Sequence, residues 1–304
     1  MVIIRMTGGL GNQMFQYALY QKLVSQGKEV KFDDKSEYTL SNARPIMLWA
    51  FGIDYPKATD REINKITDGS LNPLARIRRK VFGRKSLKYA EKDCNFDAAV
   101  LEKDPAYLTG YFQSEAYFSD IKEAVREAFA FDEAIFEGLE TELKNKITIY
   151  QIDIENTASV SLHIRRGDYL SNADIYGGNC TEAYYAKAIK TIKEKVPEAV
   201  FYVFSNDDNW AEDWCKAKEE KTGSKFVPVA GAPEELGYLD LFLMSKCKHH
   251  IVANSSFSWW GAYLNPSKEK CVIAPARWYN NQDCKDIYTP EMLKITAEGI
   301  LIEA

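Results

Sequence analysis

The hydrophobic positions at the start of the chain change their spacing twice. An apolar run at 2–6 predicts a strand, helical spacing over 14–26 predicts a helix, and a second apolar run at 30–32 predicts another strand. A glycine-rich loop, 7–13, joins the first strand to the helix, and Gly27 ends the helix. A strand–helix–strand unit of this kind implies parallel strands with a right-handed crossover.

The second half of the chain repeats this alternation more regularly and predicts a second doubly wound α/β domain. We place the domain boundary in the polar stretch 151–157, so that 1–155 and 156–304 form two Rossmann-like domains. Two such domains would face each other across a cleft, where ligands of these sheets bind. The predicted strands of the second half are 159–164, 200–205, 225–229, 249–253 and 271–275, and its helices are 182–195, 208–220, 234–247 and 256–264.

The region between these two patterns is harder to assign. Helical spacing predicts helices over 119–129 and 134–144, whereas 40–110 is interrupted by prolines and gives no clear elements. Residues 76–88 carry seven basic side chains and no acidic one, beside apolar residues at helical spacing. A solvated helix face is the simpler interpretation of Arg76–Lys88. Weak contact with an anionic membrane surface or with a pyrophosphate-linked acceptor is the alternative.

Composition narrows the class of protein. The chain has 304 residues, of which 46% are hydrophobic and 27% charged, as in a water-soluble globular protein. A net charge of -5 argues against a dedicated nucleic-acid-binding protein, which normally carries a basic excess. The sequence offers no signal peptide and no membrane span, so we expect a cytoplasmic protein, with peripheral contact at the inner face of the membrane as a further option.

Unusual polar residues follow three of the predicted strands. Arg165 and Arg166 follow the first strand of the second domain, 205–208 follows the next, and 254–258 follows a third. Parallel strands of one sheet end at the same edge, so these clusters should converge although 40 to 50 residues separate them. The sequence therefore predicts one polar site at the carboxyl edge of the second sheet.

Two adjacent arginines at a strand end are poor core material, because a buried guanidinium needs an anion. Their planar donors suit a phosphate or diphosphate, and pairing within the protein is the competing interpretation. Successive strand residues point to opposite sides, so one arginine of the pair can face a ligand while the other is held by a salt bridge. We expect Arg165 to face the diphosphate, and we expect Arg166 to be the support, with Asp168 as its partner.

The other two clusters offer complementary groups. A carboxylate of Asp207 or Asp208 can accept the two donors of a guanine ring, or it can cap the helix that follows; one aspartate can do each. Ser255, Ser256 and Ser258 precede or enter a helix whose amides can bind an anion, although capping alone would explain part of the pattern. Trp259 and Trp260 are expected in the core rather than against a sugar.

No metal site is predicted. The chain lacks the D-x-D pair that commonly binds a divalent cation, and its cysteines show no C-x-x-C spacing. A diphosphate would then be neutralised by cationic side chains and helix amides. A redox dinucleotide site is disfavoured, because Met14 stands where the third glycine of G-x-G-x-x-G would be.

Four segments together resemble the α-1,2-fucosyltransferases of glycosyltransferase family 11. They are Gly8-Gly-Leu-Gly-Asn12-Gln-Met-Phe-Gln16, His163-Ile-Arg-Arg-Gly-Asp168-Tyr, Phe204-Ser205-Asn-Asp-Asp208 and Asn254-Ser-Ser-Phe-Ser258-Trp-Trp-Gly261. They occur in the family's order and span most of the chain. The H-x-R-R-x-D element is shared more loosely with α-1,6- and protein O-fucosyltransferases.

The resemblance implies an α/β GT-B fold and GDP-β-L-fucose as donor substrate, with no further cofactor. It also implies inverting, metal-independent transfer of L-fucose to O2 of a terminal galactose, so that the acceptor would be a galactose-terminated oligosaccharide or a lipid-linked glycan. An α-1,6-fucosyltransferase and an inactive module that only binds glycan or nucleotide are the alternatives.

The resemblance also assigns roles to residues. Arg165 looks like the main diphosphate ligand, and His163 with Asp207 or Asp208 looks like the guanosine contact. Ser205 belongs to the same donor cluster, Ser255, Ser256 and Ser258 look like the phosphate cradle, and Asn12 looks like a contact from the acceptor-side domain. The general base is not fixed by the resemblance: Asp168 and Asp174 are the candidates, and Asp168 can instead hold one of the arginines.

Overall fold

A computed structural model describes residues 1–38, 43–166, 172–230 and 232–302 of the chain. These residues divide into two α/β units. The first comprises Met1–Ala128 with Lys285–Ile287, and the second comprises Phe129–Cys284 with Tyr288–Ala304. No helix within the described ranges combines the length and the hydropathy that a membrane span requires.

The first unit is built on a four-stranded parallel sheet in the order β2-β1-β4-β3. Helix α1 is the crossover between β1 and β2, and it buries Met14, Phe15 and Leu19 against the sheet. The strands are β1 (Val2–Arg5), β2 (Val30–Asp33), β3 (Lys88–Ala90) and β4 (Ala106–Thr109), and the helices are α1 (Leu10–Ser25), α2 (Asp60–Thr67), α3 (Pro73–Phe82), α4 (Ala99–Glu102) and α5 (Lys122–Ala128), with 3₁₀ turns at Leu48–Phe51, Glu115–Tyr117, Ser119–Ile121 and Lys285–Ile287.

The second unit is built on a seven-stranded sheet in the order β7-β6-β5-β8-β9-β10-β11, in which only the last pair is antiparallel. The strands are β5 (Ser159–Ile164), β6 (Val200–Ser205), β7 (Phe226–Val229), β8 (His249–Ile251), β9 (Val272–Pro275), β10 (Met292–Ile295) and β11 (Leu301–Ile302). The helices are α6 (Thr141–Asn156), α7 (Ala173–Tyr176), α8 (Glu182–Lys195), α9 (Asp208–Thr222), α10 (Tyr238–Lys246) and α11 (Ser256–Leu264), with 3₁₀ turns at Glu133–Phe136 and Glu234–Leu236.

The α/β class and the two Rossmann-like units that a GT-B fold contains are therefore confirmed. In both sheets the strand order reverses at the centre, at β1 in the first unit and at β5 in the second. Every residue of β5 is buried, as expected for a central strand covered by helices on both faces. The cleft between the units stays a prediction.

The core of the second unit includes a pair of tryptophans. Trp259 and Trp260 are both fully buried on α11, with ring centroids 5.0 Å apart in an edge-to-face arrangement. Trp260 also packs edge-to-face on Phe129 at 5.1 Å. The prediction that these rings are core residues is confirmed.

The division between the units lies earlier than the predicted boundary at 155/156. Helix α6 runs through 151–157 instead of leaving a linker there, because it buries Ile147 and Ile154 and packs on α10 and β5. The Tyr150 hydroxyl donates a hydrogen bond to the carbonyl of Pro228 at 3.1 Å. These contacts place α6 in the second unit.

One predicted helix was wrong, and one stretch that had no assignment contains regular elements. The helix expected over 134–144 is a 3₁₀ turn followed by α6, because Gly138 adopts a left-handed conformation (φ 73°) between them. The stretch 40–110, which gave no clear assignment, contributes strands β3 and β4. The apolar run at β4 pairs directly with β1.

Candidate functional site

The strand order of the second sheet reverses between β5 and β8, which are neighbours at its centre. In open α/β sheets, ligands bind outside the carboxyl ends of the strands at such a switch point. Strand β5 leads into His163 and Arg165, and β8 leads into the loop before α11. The ring of His163 lies 6.0 Å from that of Phe257 on α11, so these two carboxyl ends meet as predicted.

His163 lies at the end of β5 and is almost completely buried. Its carbonyl accepts a hydrogen bond from the Tyr185 hydroxyl at 2.9 Å, while its side-chain Nδ1 is buried without a hydrogen-bond partner in the described part of the chain. Burial and the positive charge of Arg165 lower the pKa of the imidazole to about 3, so the ring is neutral. A buried polar atom without a hydrogen-bond partner costs free energy. A ligand that forms a hydrogen bond with Nδ1 would remove this cost and so bind more tightly.

Arg166 is held by the neighbouring strand. Its backbone N–H donates to Oδ1 of Asn206 at 2.9 Å, and its guanidinium Nε donates to Oδ2 of Asp207 at 3.2 Å. The guanidinium also stacks on the ring of Trp210, 4.2 Å from the centroid. The supporting role expected for Arg166 has a structural basis, and the carboxylate that pairs with it in the described chain is Asp207. Asp168 lies outside the described residues.

Arg165 is partly exposed at the carboxyl end of β5. Its positive charge contributes, after burial, to the lowered pKa of the His163 imidazole. The role expected for Arg165, as the arginine of the pair that faces the diphosphate, stays a prediction.

The two aspartates after β6 have different surroundings. Asp207 caps α9: its Oδ1 accepts the backbone N–H of Trp210 at 3.2 Å, and its own N–H donates to the hydroxyl of Ser205 at 3.3 Å. With Arg166 on the other carboxylate oxygen, Asp207 is a structural residue as well as a site candidate. Asp208 is exposed in the first turn of α9.

Asp240 is a site candidate that the sequence reasoning missed. It lies in the first turn of α10, at the same edge of the sheet as the first turn of α9. Burial and the negative charge of Asp208 raise the pKa of its carboxyl to about 7. Perturbed carboxyl groups cluster at functional sites. Its position in the sequence carries little signal, because Asp240 lies 11 residues beyond the end of β7 whereas Asp208 lies three residues beyond the end of β6.

The loop that leads into α11, residues 254–258, contains three serines; we call it the serine loop. Ser255 is the N-cap residue, yet its side chain makes no capping hydrogen bond. The hydroxyl of Ser258 donates to the carbonyl of Ser255 at 3.4 Å, and Ser256 is the first residue of the helix. Capping therefore does not account for the Ser255 hydroxyl. The first turn of α11, which carries Phe257 beside His163, offers backbone donors of the kind that an anion site requires.

Asn254 fixes this loop in place. Its side-chain amide donates to the carbonyls of Tyr176 and Trp278, at 3.1 and 2.9 Å. These bonds tie the loop to α7, on which Asp174 is exposed. Asp174 thus belongs to a segment connected to the switch point.

No three His, Cys, Asp or Glu side chains in the described ranges are grouped so that they could hold a metal ion. The expected independence from metals stays a prediction. The assignment of Asp168 as base or as support of an arginine also stays a prediction.

The first unit has its own switch point between β1 and β4. The side-chain Nε2 of Gln113, beyond β4, donates to Oδ1 of Asn12, beyond β1, at 2.7 Å. Gly8 has a positive φ of 77°, and a Cβ there would lie 2.5 Å from Nδ2 of Asn12, so only glycine lets Asn12 adopt this position. Asn12 thus lies where a ligand of this unit would bind.

Glu91 supports the same edge of the first unit and was also missed from the sequence. Its carboxylate accepts the backbone N–H groups of Tyr111 and Phe112 at 2.7 and 2.9 Å. Burial raises the pKa of this carboxyl to about 7 in spite of these bonds. The bonds hold Phe112 in a left-handed conformation (φ 53°) next to Gln113.

Two buried neutral histidines should make stability depend on pH. The pKa of His163 is lowered to about 3 by burial, and that of His250 is also lowered by burial. Nε2 of His250 lies 2.9 Å from Nδ2 of Asn265, which can only donate, so Nδ1 carries the proton and lies 2.8 Å from the Ser161 hydroxyl. Both rings are therefore neutral in the folded protein.

Because an unfolded histidine takes up a proton near pH 6.5 and these folded ones do not, stability is present above that pH and is lost as the pH falls. For each neutral ring, the free energy of unfolding should fall by about 2 kcal/mol as the pH is lowered from 7 to 5. Urea titrations at the two pH values should show a smaller loss for His163→Gln than for the unaltered protein. An equal loss in both proteins would mean that His163 is protonated in the folded state.

Comparison with known proteins places this geometry in a family. Residues 1–296 match the family described as Glycosyl transferase family 11. The chain belongs to glycosyl transferase family 11. A relative from Escherichia coli, an alpha-1,2-colitosyltransferase, is 34% identical over 93% of this chain and 93% of its own length.

A more distant sequence relative and a solved structure are also similar to this chain. The galactoside alpha-(1,2)-fucosyltransferase 1 of Aotus azarae is 25% identical over 52% of the chain and 42% of its own length. The fucosyltransferase NodZ from Bradyrhizobium is 12% identical, with a TM-score of 0.42 over 87% of this chain and 92% of that one. The family 11 chain is thus a glycosyltransferase, with relatives that transfer colitose or fucose in α-1,2 linkage.

Proposed function

We propose that this family 11 glycosyltransferase moves L-fucose from GDP-β-L-fucose to O2 of a terminal β-galactoside, with inversion and without a metal ion. One observation carries the proposal. At the carboxyl ends of β5 and β8, a buried histidine with an unpaired nitrogen, an arginine and the start of α11 come together. That combination suits a nucleoside diphosphate.

The guanosine half would bind beside β5 and β6. Nδ1 of neutral His163 would pair with a polar group of the nucleoside, and Asp208 would accept the N1 and N2 donors of guanine. Asp207 is committed to Trp210 and Arg166. Asp208 is exposed in the first turn of α9 and is therefore the better candidate. Asp240, beside Asp208, would be a second contact on this side.

The diphosphate half would bind between Arg165 and α11. The Arg165 guanidinium offers two parallel donors to phosphate oxygens. The hydroxyls of Ser255, Ser256 and Ser258 and the first-turn amides of α11 would complete the cradle. Negative charge grows on GDP as the sugar–phosphate bond breaks, so these donors stabilise the transition state more than the bound donor.

The chemical step would be a single displacement. The acceptor O2 attacks C1 of fucose as the bond from C1 to the phosphate oxygen breaks, GDP leaves, and β configuration becomes α. The O2 proton passes to a carboxylate, for which Asp168 and Asp174 remain our candidates. Asn12 would contact the acceptor or the donor sugar from the first unit. The acceptor would be a galactose-terminated oligosaccharide or a lipid-linked glycan, and we place the reaction in the cytoplasm.

Colitosyl transfer is the second candidate, because the colitosyltransferase relative matches this chain over most of its length. Colitose is the 3-deoxy form of L-fucose, so the two donors share the GDP site and differ at one hydroxyl. A site that hydrogen-bonds this hydroxyl rejects the deoxy sugar strongly, whereas an apolar contact does not. Turnover with each donor alone separates the two candidates.

GDP should raise the melting temperature more than ADP or UDP at equal concentration. At about 100 times its dissociation constant, a ligand of the folded state adds about 2.7 kcal/mol of stability. Asp208→Asn replaces one acceptor by a donor and should reduce the preference for GDP, with Asp213→Asn on the exposed face of α9 as the matched control. Equal shifts with all three nucleotides would contradict guanine recognition.

A further inference from the structure

Helix α3 and its flanks, residues 71–88, form a surface that the proposed reaction does not use; we name it the basic segment. Half of the large hydrophobic side chains that are exposed in the described chain lie here. They are Leu71, Leu74, Ile77, Val81, Phe82 and Leu87, with relative exposures of 84, 75, 61, 66, 73 and 47%. Helix α3 has no buried residue at all.

One side of α3 is tied to the protein through Asp68. Its carboxylate accepts hydrogen bonds from the Arg78 guanidinium and, at 2.9 Å, from the backbone N–H of Lys85. The Arg79 guanidinium donates to the carbonyls of Asp68 and Ser70 at 3.0 and 2.6 Å. The two ends of the helix and one of its faces are therefore fixed by polar contacts. Packing of apolar side chains does not fix them.

The other face combines apolar and cationic side chains. At 100° per residue, Leu74, Ile77 and Val81 form one stripe; Lys80 lies beside it, about 60° from Ile77, and Arg76 lies about 40° further round the helix. Arg76 and Lys80, like Arg84 and Lys85 beyond the helix, are exposed, and no salt bridge holds their side chains in the described part of the chain. The chain has a net charge of -5, yet this segment contains no acid.

We infer that the basic segment binds the surface of an anionic lipid bilayer. A helix lying in the plane of the interface inserts its apolar stripe below the headgroups, while flanking Lys and Arg side chains reach the lipid phosphates. The exposed stripe of Leu74, Ile77 and Val81, with Lys80 beside it and Arg76 further round the helix, has this arrangement. A second copy of the chain would bring the same positive charges together, which disfavours self-association through this face.

Vesicle flotation tests this inference directly. The full chain should float with phosphatidylcholine vesicles that contain about one third phosphatidylglycerol, and not with pure phosphatidylcholine. Binding should fall in high salt, because exposed charges are screened. Arg76→Gln with Lys80→Gln should weaken binding roughly 30-fold, since each basic side chain contributes about a fivefold factor near such a surface. Ile77→Ser with Val81→Ser should weaken it by about tenfold or more through the apolar stripe.

Lys190→Gln with Lys221→Gln is the matched control, because both lysines are exposed on helices of the second unit and the net charge changes equally. This control should bind vesicles as the unaltered protein does. Melting curves check that each variant is folded. No flotation of the unaltered protein, an equal loss in the control, or a dimer that only Ile77→Ser with Val81→Ser dissociates would each overturn the inference.

Discussion

Replacing Arg165 by Lys is expected to lower kcat by roughly 100-fold or more, the usual effect of removing one donor aimed at a developing anion. Lysine keeps the positive charge but loses the planar pair of donors that fits a phosphate. Because Arg165 is only partly buried at a strand end, the melting temperature of the variant should stay close to that of the unaltered protein. Steady-state kinetics with GDP-fucose and lactose measures the effect.

Arg166→Lys provides the comparison. It loses the contact between the guanidinium and Asp207 and the stack on Trp210, so it should reduce stability more than Arg165→Lys does, with a smaller fall in kcat. Near-normal turnover of Arg165→Lys, or the reverse order of the two kcat values, would contradict the division of roles between the arginines.

Trp260→Ala is expected to destabilise the protein by about 3–5 kcal/mol, because it empties a fully buried site between Trp259 and Phe129. In a unit of this size the melting temperature should fall by about 10 °C. Differential scanning calorimetry measures the change. Trp49→Ala is the control, because Trp49 is more than half exposed, and it should leave the melting temperature almost unchanged.

The same variant distinguishes packing from sugar binding. If Trp260 acts through packing, the KM for the acceptor below the transition should remain close to its ordinary value. An unchanged melting temperature together with a raised acceptor KM would instead place the ring against a sugar, contrary to its burial.

The sequence allowed the convergence of the site to be predicted because the apolar runs define parallel strands. Once β5, β6 and β8 belong to one sheet, the residues after them must share an edge, and the contacts Arg166–Asn206 and His163–Phe257 follow. The alternation of side chains along a strand also led us to assign different roles to Arg165 and Arg166, and the role of Arg165 stays a prediction.

Side-chain pairs between residues that are far apart in the sequence could not be predicted. Asp207 is 41 residues from Arg166, and several acids were equally good partners before the register of β5 and β6 was known. The perturbed carboxyls of Asp240 and Glu91 depend on burial, which a single acid in a sequence does not reveal. The polar residues of 151–157 suggested a linker, but the buried Ile154 continues the apolar face of α6 there and ties the helix to the second unit.

Analysis of the product linkage tests the central claim most directly. The protein is incubated with GDP-fucose and a panel of β-galactosides in excess EDTA, and the product is examined by nuclear magnetic resonance. The account predicts turnover without added metal and an α-fucosyl C1 joined to O2 of the terminal galactose. A requirement for a divalent cation, a β or 1,6 linkage, or GDP binding without transfer to any galactoside would contradict it.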